Sequence, residues 1–177
     1  MKFVTIFGSA REKQSKKWQK EAKKLGKLLA KNGFGVITGA GLGIMKAVNK
    51  GAFKAGGISI GYDIKLPKQQ KRNKFCTHIE FFSDLGPRKA KLIKESSFFV
   101  VFPGGFGTLD ELGEILELNQ VGLKNSKVIL FDDDFWGEFL VFVKKKMLKY
   151  DLVDKLKDIS ICNSAKSAMK EILAKKS

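Results

Sequence analysis

Apolar runs of four to six residues alternate along the chain with longer stretches in which apolar residues return at helical spacing. Lys2 to Phe7 predicts a strand, and Ser15 to Lys31 a helix that Asn32-Gly33 would stop, because glycine accepts the left-handed conformation that closes a helix. Phe34 to Thr38 predicts a second strand, followed by a glycine-rich turn and a helix from about Ile44 to Ala55. Ile58 to Ile64 reads as a third strand, Lys65 to His78 as a polar excursion and Ile79 to Phe82 as a short strand. Pro87 then opens a helix, since proline suits a first turn. Ser97 to Phe102 is an uninterrupted apolar run of the kind parallel sheets bury on both faces. A helix from Thr108 to Val121, a strand from Lys127 to Phe131, a helix from Phe135 to Tyr150 and a last strand and helix complete the series. Strands alternating with helices over short connections predict one α/β domain spanning residues 1–177, a doubly wound, Rossmann-like parallel sheet with helices on both faces. Such folds bind ligands at the carboxyl ends of their strands, and every informative loop of this sequence falls at one of those ends.

Composition narrows the class. The chain has 177 residues, enough for one real core, with 44% apolar and 11% aromatic content. No stretch is long and apolar enough to span a membrane, and Cys76 and Cys162 stand alone, without the spacing of a zinc site or a disulfide framework. A cytoplasmic, reduced protein is expected. The net charge of +16 invites a nucleic-acid partner, but all of the 34 basic residues except Arg11, Arg72 and Arg88 are lysine. Base reading and bidentate phosphate contacts favour arginine, so a diffuse lysine coat argues against a nucleic-acid partner while still drawing small anions inward.

Three loops carry candidate chemistry. The strongest is Pro103-Gly104-Gly105-Phe106-Gly107-Thr108-Leu109-Asp110-Glu111, set between a buried strand and a helix. Its glycines let backbone approach a ligand closely, and the N–H groups and positive dipole end of a helix start suit a phosphate, with Thr108 adding a hydroxyl. The lysine of a nucleoside-triphosphate loop is missing. The competing structural reading is a capping box, Thr108-x-x-Glu111. The second loop, Gly39-Ala40-Gly41-Leu42-Gly43, has Ile44 where a dinucleotide fingerprint needs glycine, which argues against nicotinamide or flavin. Gly8-Ser9, at the end of the first strand, is the third. Arg88-Lys89 stands at a helix start, where cations oppose the helix dipole, and residues placed against a local preference often serve a site. Asp132-Asp133-Asp134 is a weak metal candidate, with Asp134 the expected cap of the next helix. Glu114 and Glu117 read as a solvated stripe, and Met45, Met147 and Met169 as core filling. His78, the only histidine, argues against a serine or cysteine triad.

With these residues in place, the sequence resembles the Lonely Guy family of cytokinin riboside 5'-monophosphate phosphoribohydrolases, often mislabelled as lysine decarboxylases. The family's PGGxGTxxE motif is matched in full by Pro103 to Glu111, its arginine-lysine pair by Arg88-Lys89, its GSAR by Gly8 to Arg11 and its GxGxGIM turn by Gly39 to Met45. The likeness runs from about Phe3 to Trp136. It departs at Ala40, where a third glycine is usual, at Leu42, often proline, and at Gln69, where an LPxEQ segment carries glutamate. The resemblance implies hydrolysis of the N-glycosidic bond of a nucleoside 5'-monophosphate, AMP being the first guess, to free base and ribose 5-phosphate. Glu111 and Arg88 would be catalytic, and Gly8, Ser9, Gly39, Gly41, Lys89, Gly104, Gly105, Gly107 and Thr108 would bind substrate. Such hydrolysis passes through an oxocarbenium-like sugar that a carboxylate stabilises, and it needs neither metal nor redox cofactor. A homodimer or higher homo-oligomer is implied as well. Family relatives that carry molybdenum cofactor supply the alternative, a non-catalytic carrier on the same fold.

Overall fold

A strand that is apolar on both faces needs a helical layer above and below it, and the chain supplies both. The computed structural model describes residues 1–13, 16–65, 73–153 and 158–175. Its elements are β1 (Lys2–Phe7), α1 (Lys16–Lys31), β2 (Phe34–Thr38), α2 (Gly43–Lys54), β3 (Ser59–Ile64), β4 (His78–Phe82), α3 (Leu85–Lys94), β5 (Phe98–Val101), α4 (Phe106–Gln120), β6 (Lys127–Phe131), α5 (Asp133–Phe142), β7 (Ile159–Cys162) and α6 (Ala165–Ala174), with a π-wound stretch, Val143–Leu148, after α5.

The strands form one sheet in the order β4-β3-β2-β1-β5-β6-β7, with every pairing parallel. Alternate side chains leave a strand on opposite faces. Val4 and Ile6 of β1, with Phe98 and Val100 of β5, therefore join one core with Leu25 and Leu29 of α1, Val48 of α2 and Ile172 of α6. Phe7, Phe99 and Val101 join the other with Leu92 of α3, Leu112 and Ile115 of α4 and Trp136 of α5. The chain winds to one side of β1 through β2 to β4 and to the other through β5 to β7. The carboxyl ends of β1 and β5 thus flank the crevice where strand order reverses.

Most element boundaries fall within one or two residues of the expected ones. The helix expected from Phe135 starts at Asp133, because Asp132 rather than Asp134 is its cap, accepting a hydrogen bond from the Asp134 backbone N–H at 3.1 Å. Its expected end at Tyr150 is replaced by the π-wound stretch. The helix expected from Thr108 begins at Phe106, with consequences for the site. Of the excursion at Lys65 to His78, residues 66–72, Gln69 among them, lie outside the described residues, and His78 belongs to β4.

Helices α1 and α2 cross with their backbones in contact. A Cβ on Gly51 would lie 2.0 Å from the Lys23 carbonyl oxygen, and one on Gly26 2.1 Å from that of Val48. Gly51→Ala should therefore lower the urea midpoint of unfolding, with an overpacking cost of about 1–3 kcal/mol exceeding the gain of up to ~1 kcal/mol in helix propensity. Gly113→Ala in α4, where a Cβ meets nothing within 4 Å, should raise the midpoint instead. Equal shifts in the two variants would show that α1 and α2 are free to separate.

Candidate functional site

Three glycine loops meet at the carboxyl rim of the sheet. Ser9 ties them together: its N–H donates to the Pro103 carbonyl at 3.2 Å, and its own carbonyl accepts from the Ile44 N–H at 3.1 Å. Its hydroxyl accepts from the Arg11 N–H at 3.1 Å. Gly8 is required by this packing, since a Cβ there would stand 2.9 Å from Ile44 Cγ2 and 3.0 Å from Phe102 Cβ.

Each glycine of the second loop also has a neighbour close to where its Cβ would be, backbone only at Gly43 and side-chain ends at Gly39 and Gly41. A Cβ on Gly39 would fall 2.0 Å from Arg88 Nη2, and one on Gly41 2.4 Å from the Met45 methyl. On Gly43, at φ +54°, it would stand 2.5 Å from the Ser9 carbonyl oxygen. Met45, expected as core filling, instead leans on this turn. Ala40 adopts the left-handed conformation, φ +58°, where a glycine would be unstrained.

The third loop differs. Gly104 is packed, its missing Cβ 2.1 Å from the Thr108 hydroxyl, but a Cβ on Gly105 or Gly107 would meet nothing within 4 Å. Gly105 is the N-cap of α4 and no side chain caps the helix. The capping box does not form, because α4 starts at Phe106 and places Thr108 already inside its first turn, buried. A helix start left bare by two glycines exposes its backbone N–H groups and its positive dipole end to the rim.

One turn further along α4 stands Glu111, half-buried and within electrostatic reach of Arg88 from α3. Arg88 Nε donates to the Tyr62 carbonyl at 2.7 Å and Nη2 to that of Gly39 at 2.9 Å. Burial lowers the guanidinium pKa, while the carboxylates of Glu111 and Asp63 work to keep the charge. Burial pushes the Glu111 carboxyl up to about 7, opposed by Arg88, with Asp110 adding to the rise and Lys89 drawing it down. Lys89 itself pairs with Asp110 at 2.9 Å and Glu114 at 2.8 Å, which raise its pKa and cross-link α3 to α4. Its ammonium is thus engaged by α4 carboxylates, and Glu114, read as part of a solvated stripe, is one of them.

The rim joins Gly8 and Ser9 to the second loop through Ile44 and to the third through Pro103, and Gly41 packs near Ala10. Gly39 contacts Arg88 directly and Glu111 couples to Arg88 by charge, while Gly104 packs within its own loop on Thr108. Gly39 is expected in the site but not as an acceptor for Arg88, Met45 reads as core filling although it closes the GxGxGIM turn, and Tyr62 and Asp63 lie in no motif the sequence offers. Among the described residues, no group of three His, Cys, Asp or Glu side chains is placed to hold a metal ion, and no helix is long and apolar enough to cross a membrane.

Fold and rim together define a Rossmann-like α/β protein with a bare glycine helix start, a half-buried arginine and a carboxyl of raised pKa at its switch point. The sequence profile of the family described as possible lysine decarboxylase matches residues 45–173. The chain belongs to this family, the Lonely Guy family of the cytokinin riboside phosphoribohydrolases. It is 28% identical over 145 residues to the probable cytokinin riboside 5'-monophosphate phosphoribohydrolase LOGL6 of Oryza sativa subsp. japonica, covering 80% of this chain and 58% of that protein. It is 31% identical to the rice enzyme LOG, over 77% of this chain and 57% of that one. The chain thus spans somewhat under two thirds of these relatives' length. Among solved structures, the molybdenum cofactor binding protein of Rippkaea orientalis superposes with a TM-score of 0.77 at 22% identity, over 99% of this chain and 98% of that one. The molybdenum cofactor carrier protein of Chlamydomonas reinhardtii gives 0.72 at 22%, over 98% of both chains. At these identities the likeness shows the fold.

The raised Glu111 carboxyl makes stability depend on pH in a definite direction. A carboxyl with a higher pKa folded than unfolded binds its proton more tightly in the native state, so its contribution is full below the ordinary carboxylate range and is lost as pH rises through about 7. Relative to wild type, Glu111→Gln should melt progressively higher from about pH 5 to about pH 8, and the gap should then stop widening. Melting curves across that range check this; a constant gap would mean that the carboxyl titrates as it does unfolded.

Proposed function

We propose that this chain hydrolyses the N-glycosidic bond of a nucleoside 5'-monophosphate, AMP or a cytokinin riboside monophosphate, releasing the free base and ribose 5-phosphate. The observation that carries the reading is the Glu111 carboxyl, held near neutral pKa opposite Arg88 and one turn beyond a bare helix start. In this reading the backbone N–H groups of Gly104, Gly105, Gly107 and Thr108 receive the 5'-phosphate, with Gly8, Ser9, Gly39, Gly41 and Lys89 around the nucleotide. The ribose then lies toward Glu111. As a carboxylate, Glu111 holds the ribose hydroxyls, stabilises the positive charge that grows on the sugar as the C1'–N bond breaks, and takes a proton from the water that attacks C1'. A pKa of about 7 leaves an appreciable share of both protonation states at neutral pH, which suits proton transfer. Arg88 orients the nucleotide and assists departure of the base. No step calls on a metal or a redox cofactor, and the reading goes with a cytoplasmic homodimer.

The likeness in fold to molybdenum cofactor carriers supports a second reading, a non-catalytic nucleotide or cofactor carrier using the same phosphate loop. Glu111→Gln separates the two. For the hydrolase, the variant should stay folded and bind AMP while adenine release falls by roughly a hundredfold or more. Wild-type turnover in that variant would remove Glu111 from the mechanism. Tight AMP binding with no adenine release by the wild type would establish the carrier instead.

The phosphate loop has its own test. Adenosine should compete poorly with AMP for binding, because it lacks the group that makes the charge-assisted contacts. Equal competition would remove the Gly104 to Thr108 backbone from the site.

A further inference from the structure

We propose that Thr38 and Asn49 are positioning residues that fix the Gly39–Ala40 peptide and, through it, the Arg88 guanidinium. The kinetic consequence rests on the hydrolase reading above; the geometry does not. A peptide unit is planar, so the Gly39 carbonyl and the Ala40 N–H are two ends of one rigid body. The carbonyl end accepts from Arg88 Nη2 at 2.9 Å. The N–H end donates to Thr38 Oγ1 at 3.1 Å. Thr38 in turn donates its hydroxyl proton to Asn49 Oδ1 at 2.8 Å, which leaves a lone pair turned toward Ala40. Asn49 is fully buried; its Oδ1 also accepts from Asn73 Nδ2 at 2.8 Å, and its own amide donates to Ser59 Oγ at 2.7 Å.

This network opposes a specific relaxation. Ala40 is held at φ +58°, a conformation that L residues disfavour, and a flip of the preceding peptide would relieve it. The flip would turn the Gly39 carbonyl away from Arg88. It would also strip the Ala40 N–H, at a residue only 3% exposed, of its acceptor. The guanidinium cannot follow, since it already lies where a Gly39 Cβ would be and its Nε is committed to the Tyr62 carbonyl. Asn49, deep in α2, therefore reaches the site without touching it.

Thr38→Val keeps the side-chain shape and deletes the hydroxyl, whereas Thr38→Ser keeps the hydroxyl. The readouts are the Glu111 titration, followed by carboxyl carbon NMR, and kcat and KM for adenine release from AMP. Thr38→Val should raise the Glu111 midpoint, because Arg88 is a charge that holds it down, and should lower kcat by about tenfold with little change in KM. Thr38→Ser should restore both. Should Thr38→Val not fold, Asn49→Ser, which withdraws the acceptor from Thr38, is read in the same way. A folded variant with the wild-type Glu111 midpoint and kcat would overturn the assignment. If the wild type releases no adenine, the hydrolase reading fails separately, and the Glu111 midpoint alone decides: raised supports the positioning role, unmoved overturns it.

Discussion

A guanidinium gives up water only where its donors are met, and the partial burial of Arg88 sets conditions on the loops around it. Its Nε and Nη2 take the carbonyls of Tyr62, within β3, and of Gly39, just past the end of the neighbouring parallel strand β2. Those carbonyls are available because β2 stops pairing at Thr38, opposite Gly61, while β3 runs on to Ile64. Residue 39 must lack a side chain, since the guanidinium occupies that space. The charge that remains is balanced by Glu111 and Asp63, and this coupling keeps a half-buried carboxyl from rising further than it does. One arginine therefore connects the end of β2 and the middle of β3 by hydrogen bonds, and the early turns of α4 by charge.

The alternation of apolar runs with amphipathic stretches was enough to read the order of elements and the doubly wound sheet, because a strand covered on both faces leaves an unmistakable run such as Phe98 to Val101. The glycines were harder. Gly39, Gly41, Gly43 and Gly104 are small because a neighbour fills the space, while Gly105 and Gly107 are small with nothing beside them. A sequence writes both cases with the same letter. Only the second kind leaves a helix start open, and the two kinds separate only once Arg88, Met45 and Thr108 have positions.

The capping box and the Asp134 cap failed for a common reason. The strong helical pattern starts at Thr108 and Phe135, whereas both helices begin two residues earlier. Asp132 takes a left-handed backbone, φ +86°, and caps from there; Gly105 serves as N-cap with no side chain at all. At Glu111 the absence of the box matters to function, because it removes the competing reading. A capping glutamate would be spent on its own helix start, whereas this carboxyl is coupled to Arg88.

The lysine coat and the arginine act at different ranges. Exposed lysines produce a field that is screened within about 8–10 Å at physiological salt, so they draw anions toward the surface without choosing among them. Lys89 shows how little specificity such a residue brings, since its ammonium is shared between Asp110 and Glu114. Discrimination requires groups whose directions are fixed before a ligand arrives. The Arg88 donors and the backbone N–H groups at the start of α4 meet that condition: carbonyls, packed glycines and a buried Thr38–Asn49 pair hold the first, and the helix itself holds the second. In the proposed hydrolase, selectivity for the nucleotide would therefore rest on one of its few arginines and on side-chain-free backbone rather than on the net charge.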